Sequence, residues 1–390
     1  MKNNLEVNVI VHRGTSQIGG CCTEIRTSNT RIIIDMGQPL PEEEQSELVI
    51  DGVTFGITDC DALFVTHYHG DHIGQIRNIL PQIPIYMSRS TFEIIEAYRK
   101  HGGFDDYLSN RDIRYIEDGI SIQIKDIEII PIASDHSSFE PFMFWIKANG
   151  KQILHTGDYR LHGLYSKTIK KELTRIRGID LLITEGTTLT RHDKKYLSEM
   201  DMVNKFRDLN EKYKYVFLLT SSGNIDRLAG FSMSIPKGKY FIVDEFQNEL
   251  LDIVNKENRA CGYEFKKKTV YGKNLTESFA TRGFGMVVRA NGNFQKLVEK
   301  YASEYPKDTC LIYSLWSGYK TMPNIEAMLG VIENVFFLHS SGHIVGEDFV
   351  EMLENVNPRK VLVIHTEKAN IELNCGAEIV SLEDEEVFEL

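Results

Sequence analysis

The chain has 390 residues, of which 42% are hydrophobic and 26% charged, and a formal net charge of −12. This is ordinary globular composition with room for two domains of roughly 100–200 residues, and it excludes disorder, collagen-like repeats and a solenoid. Residues 1–195 carry 22 Lys+Arg against 27 Asp+Glu (−5), residues 196–345 carry 19 against 17 (+2), and residues 346–390 carry 3 against 12 (−9). The middle segment is the least acidic, which leaves a polyanionic substrate open.

In chain order, the first half reads as short Ile- and Val-rich strands at 6–11, 22–27, 31–35, 62–66, 127–132, 142–147, 152–155 and 180–184. Helices are expected near 72–80, 91–100 and 166–177. The N-terminus enters the first strand without the apolar core of a signal peptide. No run approaches the ~18–20 apolar residues of a membrane span, so no membrane partner is expected. From residue 196 strand–helix alternation takes over: 215–220 and a helix from Asn224, 240–243 and a helix from Asp244, 311–315, a helix near 323–333, and 335–338. That pattern predicts a parallel α/β unit. A helix near 346–355 and strands at 361–364 and 378–380 close the chain. The expected organisation is a β-rich domain (1–195, completed by 346–390) interrupted by an α/β insertion (196–345). Cys21, Cys22, Cys60, Cys261, Cys310 and Cys375 form no CxxC pair and read as reduced thiols of a cytoplasmic protein.

The most informative residues are Thr66-His67-Tyr68-His69-Gly70-Asp71-His72, directly after the apolar Ala62-Leu63-Phe64-Val65. A strand end projects neighbouring side chains in different directions, so one short loop can reach two metal ions. Imidazole and carboxylate suit zinc, with manganese or iron as alternatives. Ser134-Asp135-His136, Thr156-Gly157-Asp158 and Val363-Ile364-His365 also stand at strand ends. Each alone would read as structural; together with the first motif they read as further ligands.

The order of HxHxDH (67–72), His136 and Asp158 resembles the metallo-β-lactamase superfamily. Glu185 ending a strand, an insertion carrying His339-Ser340-Ser341-Gly342-His343, and Ile364-His365 resemble its β-CASP branch, ribonuclease J type. Gly14-Thr15-Ser16-Gln17-Ile18-Gly19-Gly20 and Ile32-Ile33-Ile34-Asp35-Met36-Gly37 agree with that. The resemblance implies an α/β fold, an αββα sandwich with an inserted α/β β-CASP domain. It also implies two zinc ions per chain, with manganese as the alternative. His67, His69 and His136 would hold one ion, and Asp71, His72 and His365 the other, with Asp158 bridging. Asp71, Glu185 and His343 would carry catalysis: Glu185 orients an imidazole, and His343 donates to a phosphate or leaving oxygen. Asp35 reads as a loop organiser.

The implied reaction is hydrolysis of RNA phosphodiesters, with 5′-to-3′ exonuclease action favoured over internal cutting. The expected partner is RNA, with a homodimer left open. Thr220-Ser221-Ser222-Gly223-Asn224, before a helix, offers N–H groups and hydroxyls to a phosphate. Ser221, Ser222, Asn224, Ser341 and His339 are therefore the substrate-binding candidates, with helix capping as the plainer account of the Ser and Asn residues. Three rivals stand beside this reading. His365 argues against a DNA-directed β-CASP nuclease, the insertion against a small-substrate metallohydrolase, and the complete ligand set against a non-catalytic scaffold.

Overall fold

The computed structural model describes residues 6–190, 196–257, 265, 267–272, 276–368 and 376–390. By internal contacts the chain divides into one unit of residues 1–161, 165–194 and 342–390, and a second of residues 162–164 and 195–341. The second unit thus ends at Ser341 and not at the expected 345. Gly342, His343 and Ile344 bond instead to His136 and Glu185 of the first unit.

The first unit holds two seven-stranded sheets. One runs Val387–Glu389, Asn8–Arg13, Cys22–Arg26, Arg31–Ile34, Ala62–Phe64, Ile85–Met87, Ile113–Tyr115. The other runs Glu378–Val380, Lys360–Ile364, Leu181–Glu185, Lys151–His155, Phe142–Ala148, Ile127–Ala133, Ile122–Ile124. Alternate residues of a strand face one side. Accordingly Val9, Val11, Ile32, Ile34 and Phe64 share one buried core with Ile127, Ile129, Phe144, Ile146 and Ile153. Phe64 and Phe144 meet edge to face at 5.5 Å.

On the outer face of the second sheet, Leu154, Leu182, Val361 and Val363 share a core with Ile169 and Leu173 of the helix Ser166–Leu173. Phe349, Met352 and Val356 of the helix Gly346–Val356 complete it. The result is a layered, mixed α/β sandwich. Within it Lys151–His155, Leu181–Glu185 and Lys360–Ile364 run parallel side by side. Their C-terminal ends, where ligands gather in such sheets, therefore lie in a row.

The expected helix over 72–80 is broken in two, as Gly70–Ile73 and a 3-10 turn Ile76–Asn78. The reason is that Gln75 N–H bonds Met36 O and leaves the helical ladder. The helix Arg89–Gly102 has clear local causes: Ser88 accepts from Thr91 N–H at its start, and Gly103 ends it with φ 69°.

The second unit is built on a six-stranded parallel sheet, ordered Lys268–Val270, Tyr240–Val243, Phe284–Val288, Tyr215–Leu219, Thr309–Tyr313, Val335–Phe337. Its central strands are buried throughout, as strands covered on both faces must be. Among the described residues no helix is long and apolar enough to cross a membrane.

Candidate metal centre

The HxHxDH loop is strapped to the body by backbone bonds. Cys21 N–H bonds Asp71 O, Met36 N–H bonds His72 O, and Gln38 N–H bonds Gly70 O. Gly37 is required here, because a Cβ on it would fall 1.6 Å from Asp71 O. Gly157 is required for a second reason: its φ is 53°, and a Cβ would crowd Thr66 at 2.8 Å. These two approaches bring the 67–72 loop against Asp158.

Seven side chains from the ends of four strands converge. One donor group is His67, His69, His136 and Asp158; another is Asp71, His72, Asp158 and His365. Within each group the donor atoms lie within 4.8 Å of one another. His67 Nε2, His72 Nε2, His365 Nε2 and both oxygens of Asp158 are buried without hydrogen-bond partners. His72 Nε2 and His365 Nε2 approach Asp158 Oδ1 at 3.2 and 3.3 Å without the alignment of a hydrogen bond. Buried polar atoms left unpaired are costly. So many of them, aimed at shared points, suit metal cations. The donor chemistry, imidazole with carboxylate, fits divalent transition ions such as zinc.

The other ring nitrogens are held from behind. Asp35 Oδ2 accepts from His72 Nδ1 at 2.8 Å, and the same carboxylate accepts from Thr66 N–H and Oγ1. Thr187 Oγ1 lies 2.8 Å from His365 Nδ1. Gly342 O meets His136 Nδ1, and Thr66 Oγ1 lies 3.0 Å from His67 Nδ1. Such partners fix tautomer and ring orientation. The sequence reading gave Asp35 a loop role only and passed over Thr66, Thr187 and the Gly342 carbonyl. The contact of Asp35 with His72 crosses 37 positions, and no spacing rule reports it.

The electrostatics follow from burial and shared charge. Burial, reinforced by neighbouring imidazoles, holds His67 well below the usual histidine value. Burial likewise lowers His136 well below it and His69 to about 4. Burial also works against the charged form of His72, but the carboxylates of Asp158 and Asp35 outweigh it and raise the group well above its usual value. The negative field that attracts a proton there would equally attract a metal cation. Cys21 Sγ is close to His72 and His365, yet burial and the surrounding carboxylates raise it well above the thiol range, so it stays a neutral thiol.

Glu185, which is buried, and His343, which is partly exposed, stand beside Asp158. His343 Nδ1 lies 3.0 Å from Glu185 Oε2 and 3.5 Å from Asp158 Oδ2. Glu185 Oε1 also accepts from Tyr159 N–H at 2.9 Å. The imidazole that Glu185 engages is therefore His343. Burial would lower His343, but the charges of Glu185 and Asp158 prevail and lift it to about 9.

The substrate-binding candidates lie in the second unit. Asn224 is the N-cap of the helix Ile225–Ser234, accepting from Arg227 N–H at 3.0 Å. Ser222 is buried and accepts from Gln247 Nε2, whereas Ser221 is exposed at the head of that helix. His339 is exposed, and Ser341 is buried with its carbonyl 3.2 Å from His162 Nε2. Capping and packing thus account for Asn224 and Ser222. Cys261 and Cys375 lie outside the described residues.

Residues 30–217 match the family described as the beta-lactamase superfamily domain. A ribonuclease J of Sinorhizobium meliloti is 28% identical over 370 residues, covering 87% of this chain and 64% of that protein. An RNase J-like protein of Methanocaldococcus jannaschii is 28% identical over 196 residues, covering 45% of this chain and 41% of that one. The chain thus spans less than two thirds of the length of these relatives. A crystal structure of a protein of unknown function from Enterococcus faecalis V583 has the same fold, with TM-score 0.80 at 18% identity over 99% of this chain and all of that one. Residues 30–217 of the chain thus resemble the beta-lactamase superfamily domain, and the chain is similar to ribonuclease J and RNase J-like proteins.

Proposed function

We propose that this chain is a metal-dependent ribonuclease that hydrolyses RNA phosphodiester bonds with two zinc ions, manganese being the alternative. The observation that carries the reading is Asp158. Both of its buried oxygens lack hydrogen-bond partners, and it belongs to both donor groups. The likeness to ribonuclease J over 87% of the chain supports RNA as the substrate. His67, His69, His136 and Asp158 would hold one ion, and Asp71, His72, Asp158 and His365 the other. Bound there, such ions supply Lewis acidity toward phosphoryl oxygens and acidify water.

The chain's own residues do the rest. Asp35, Thr66, Thr187 and the Gly342 carbonyl hold the rings of His72, His67, His365 and His136 at Nδ1, so that Nε2 faces inward. Glu185 keeps His343 protonated and oriented through Nδ1, which leaves Nε2 to deliver a proton to the departing oxygen. Residues 196–341 are proposed as the β-CASP domain, with Ser221 at a helix N-terminus as a donor to a terminal phosphate. That favours 5′-to-3′ exonuclease action.

The test compares 5′-monophosphorylated, 5′-hydroxyl and circular RNA of one sequence, with single-stranded DNA alongside. Mononucleotides from the phosphorylated end are expected. Equal rates on all three RNAs would overturn the exonuclease preference and leave the ribonuclease. Cleavage of DNA alone, or of nothing after loading with zinc or manganese, would overturn the ribonuclease itself.

A further inference from the structure

A cavity of about 560 Å³ opens beside the metal centre, with His69 and Gly70 forming one wall. The facing wall is the end of the helix Arg89–Gly102 and the turn after it. Tyr68, Tyr98, Phe104 and Tyr107 line the cavity with rings, Arg77 and Arg99 with guanidinium groups, and Asp105 with a carboxylate. His69 is the one residue it shares with the metal donor groups, and the reaction described above makes no use of the rest.

Local structure explains why the rings stand there. Gly103 turns the chain in the left-handed region at φ 69°, and both its N–H and that of Phe104 bond Arg99 O. This lays the Phe104 ring over Gly102, where a Cβ would come within 2.3 Å of it. Phe104 remains 64% exposed, so a flat apolar face is open to whatever enters. Arg77 is exposed, and Arg99 is braced by Glu96 at 2.8 Å.

Flat rings beside cations, next to a phosphodiester-cleaving centre, match the chemistry of a nucleobase and its flanking phosphate. Every base offers a π-face to an aromatic ring, and guanidinium charge complements the backbone. A purely apolar ligand would give the arginines nothing to meet.

We propose that this cavity is a nucleobase subsite, holding one base of a single-stranded RNA whose phosphate lies at the metal centre. The position rests on the ribonuclease reading. The subsite goes beyond that reading in giving the first unit its own grip on the strand.

The experiment measures binding to the zinc-loaded full chain by calorimetry or ligand-observed NMR. The probes are adenosine 5′-monophosphate, uridine 5′-monophosphate and ribose 5-phosphate, which keeps the phosphate and lacks the base. The nucleotides are expected to bind roughly tenfold more tightly than ribose 5-phosphate. Phe104→Ala should abolish that advantage and Tyr107→Leu reduce it, each leaving ribose 5-phosphate affinity unchanged. Equal affinity of the wild type for all three probes would overturn the subsite, as would an advantage that survives both substitutions. A base advantage lost in Phe104→Ala, in a protein that cuts no RNA, would support the subsite and sink the ribonuclease reading instead.

Discussion

His72 Nδ1 and Asp35 Oδ2 lie 2.8 Å apart in the interior, although the two residues are 37 positions apart in the chain. Asp35 sits at φ 62°, a left-handed conformation that Asp and Asn tolerate better than most residues. Its carboxylate thus ties the end of Arg31–Ile34 to the HxHxDH loop and turns the Nε2 of His72 inward.

Asp35→Asn keeps that backbone conformation but weakens the bond to His72. Metal affinity should fall about 10- to 100-fold with the fold retained. Competition with a graded chelator, read against circular dichroism, checks this. Unchanged metal retention would show that His72 needs no support from Asp35.

Asp158→Asn should do more damage than His69→Ala. Asp158 belongs to both donor groups, whereas His69 belongs to one. Elemental analysis should find both ions depleted in the first variant and one in the second. Equal depletion would mean that the two groups do not share this carboxylate.

Arg227 and Glu199 form an ion pair at 2.8 Å in the second unit, with neither side chain accessible to solvent. Arg227 also donates to the Ser340 carbonyl at 3.1 Å. Arg227→Ala would remove a buried ion-pair partner from Glu199, so a loss of about 3–5 kcal/mol is expected. Urea unfolding measures it. A loss under about 1 kcal/mol would place Glu199 in the range of ordinary surface pairs.

His12 and Glu24 make stability depend on pH. Burial opposes the charged form of His12, but its bonds to Glu24 (3.0 Å) and Glu385 (2.9 Å) win and raise it above 6.5. Its contribution is therefore complete below 6.5 and is lost as pH rises through the raised value. Burial pushes Glu24 up, yet His12 and Arg31 outweigh it and hold it below 4.5. That contribution is complete above 4.5 and is lost as pH falls through the lowered value. His12→Gln should therefore cost more at about pH 6 than at about pH 9. Denaturant midpoints at both values give the comparison, and equal costs would remove His12 from the account.

The strands with long Ile- and Val-rich runs were legible in the sequence, because burial on both faces leaves little room for other residues. The short strands Ile85–Met87, Ile113–Tyr115 and Ile122–Ile124 were not, since three residues carry too little alternation to stand out. Phe284–Val288 escaped for another reason: Gly285, a poor strand residue, interrupts its apolar run, which the packing of Phe231 and Ile235 against it accommodates. At the site, the convergence of the motif residues was legible, because their chemistry is unusual at strand ends. Their supports were not: a threonine such as Thr187 and a carbonyl such as that of Gly342 look like any other until the fold aims them.

The strand order has a consequence for synthesis. Lys360–Ile364 lies between Leu181–Glu185 and Glu378–Val380, so while the ribosome is making residues 195–341 its place is vacant. Leu181–Glu185 is then an open edge, a template for pairing with other nascent chains. His67, His69, His136 and Asp158 have all been translated by that time, whereas His365 has not. The first donor set is therefore complete in the chain well before the second. The order in which the two donor sets are completed is set by the direction in which the chain is made.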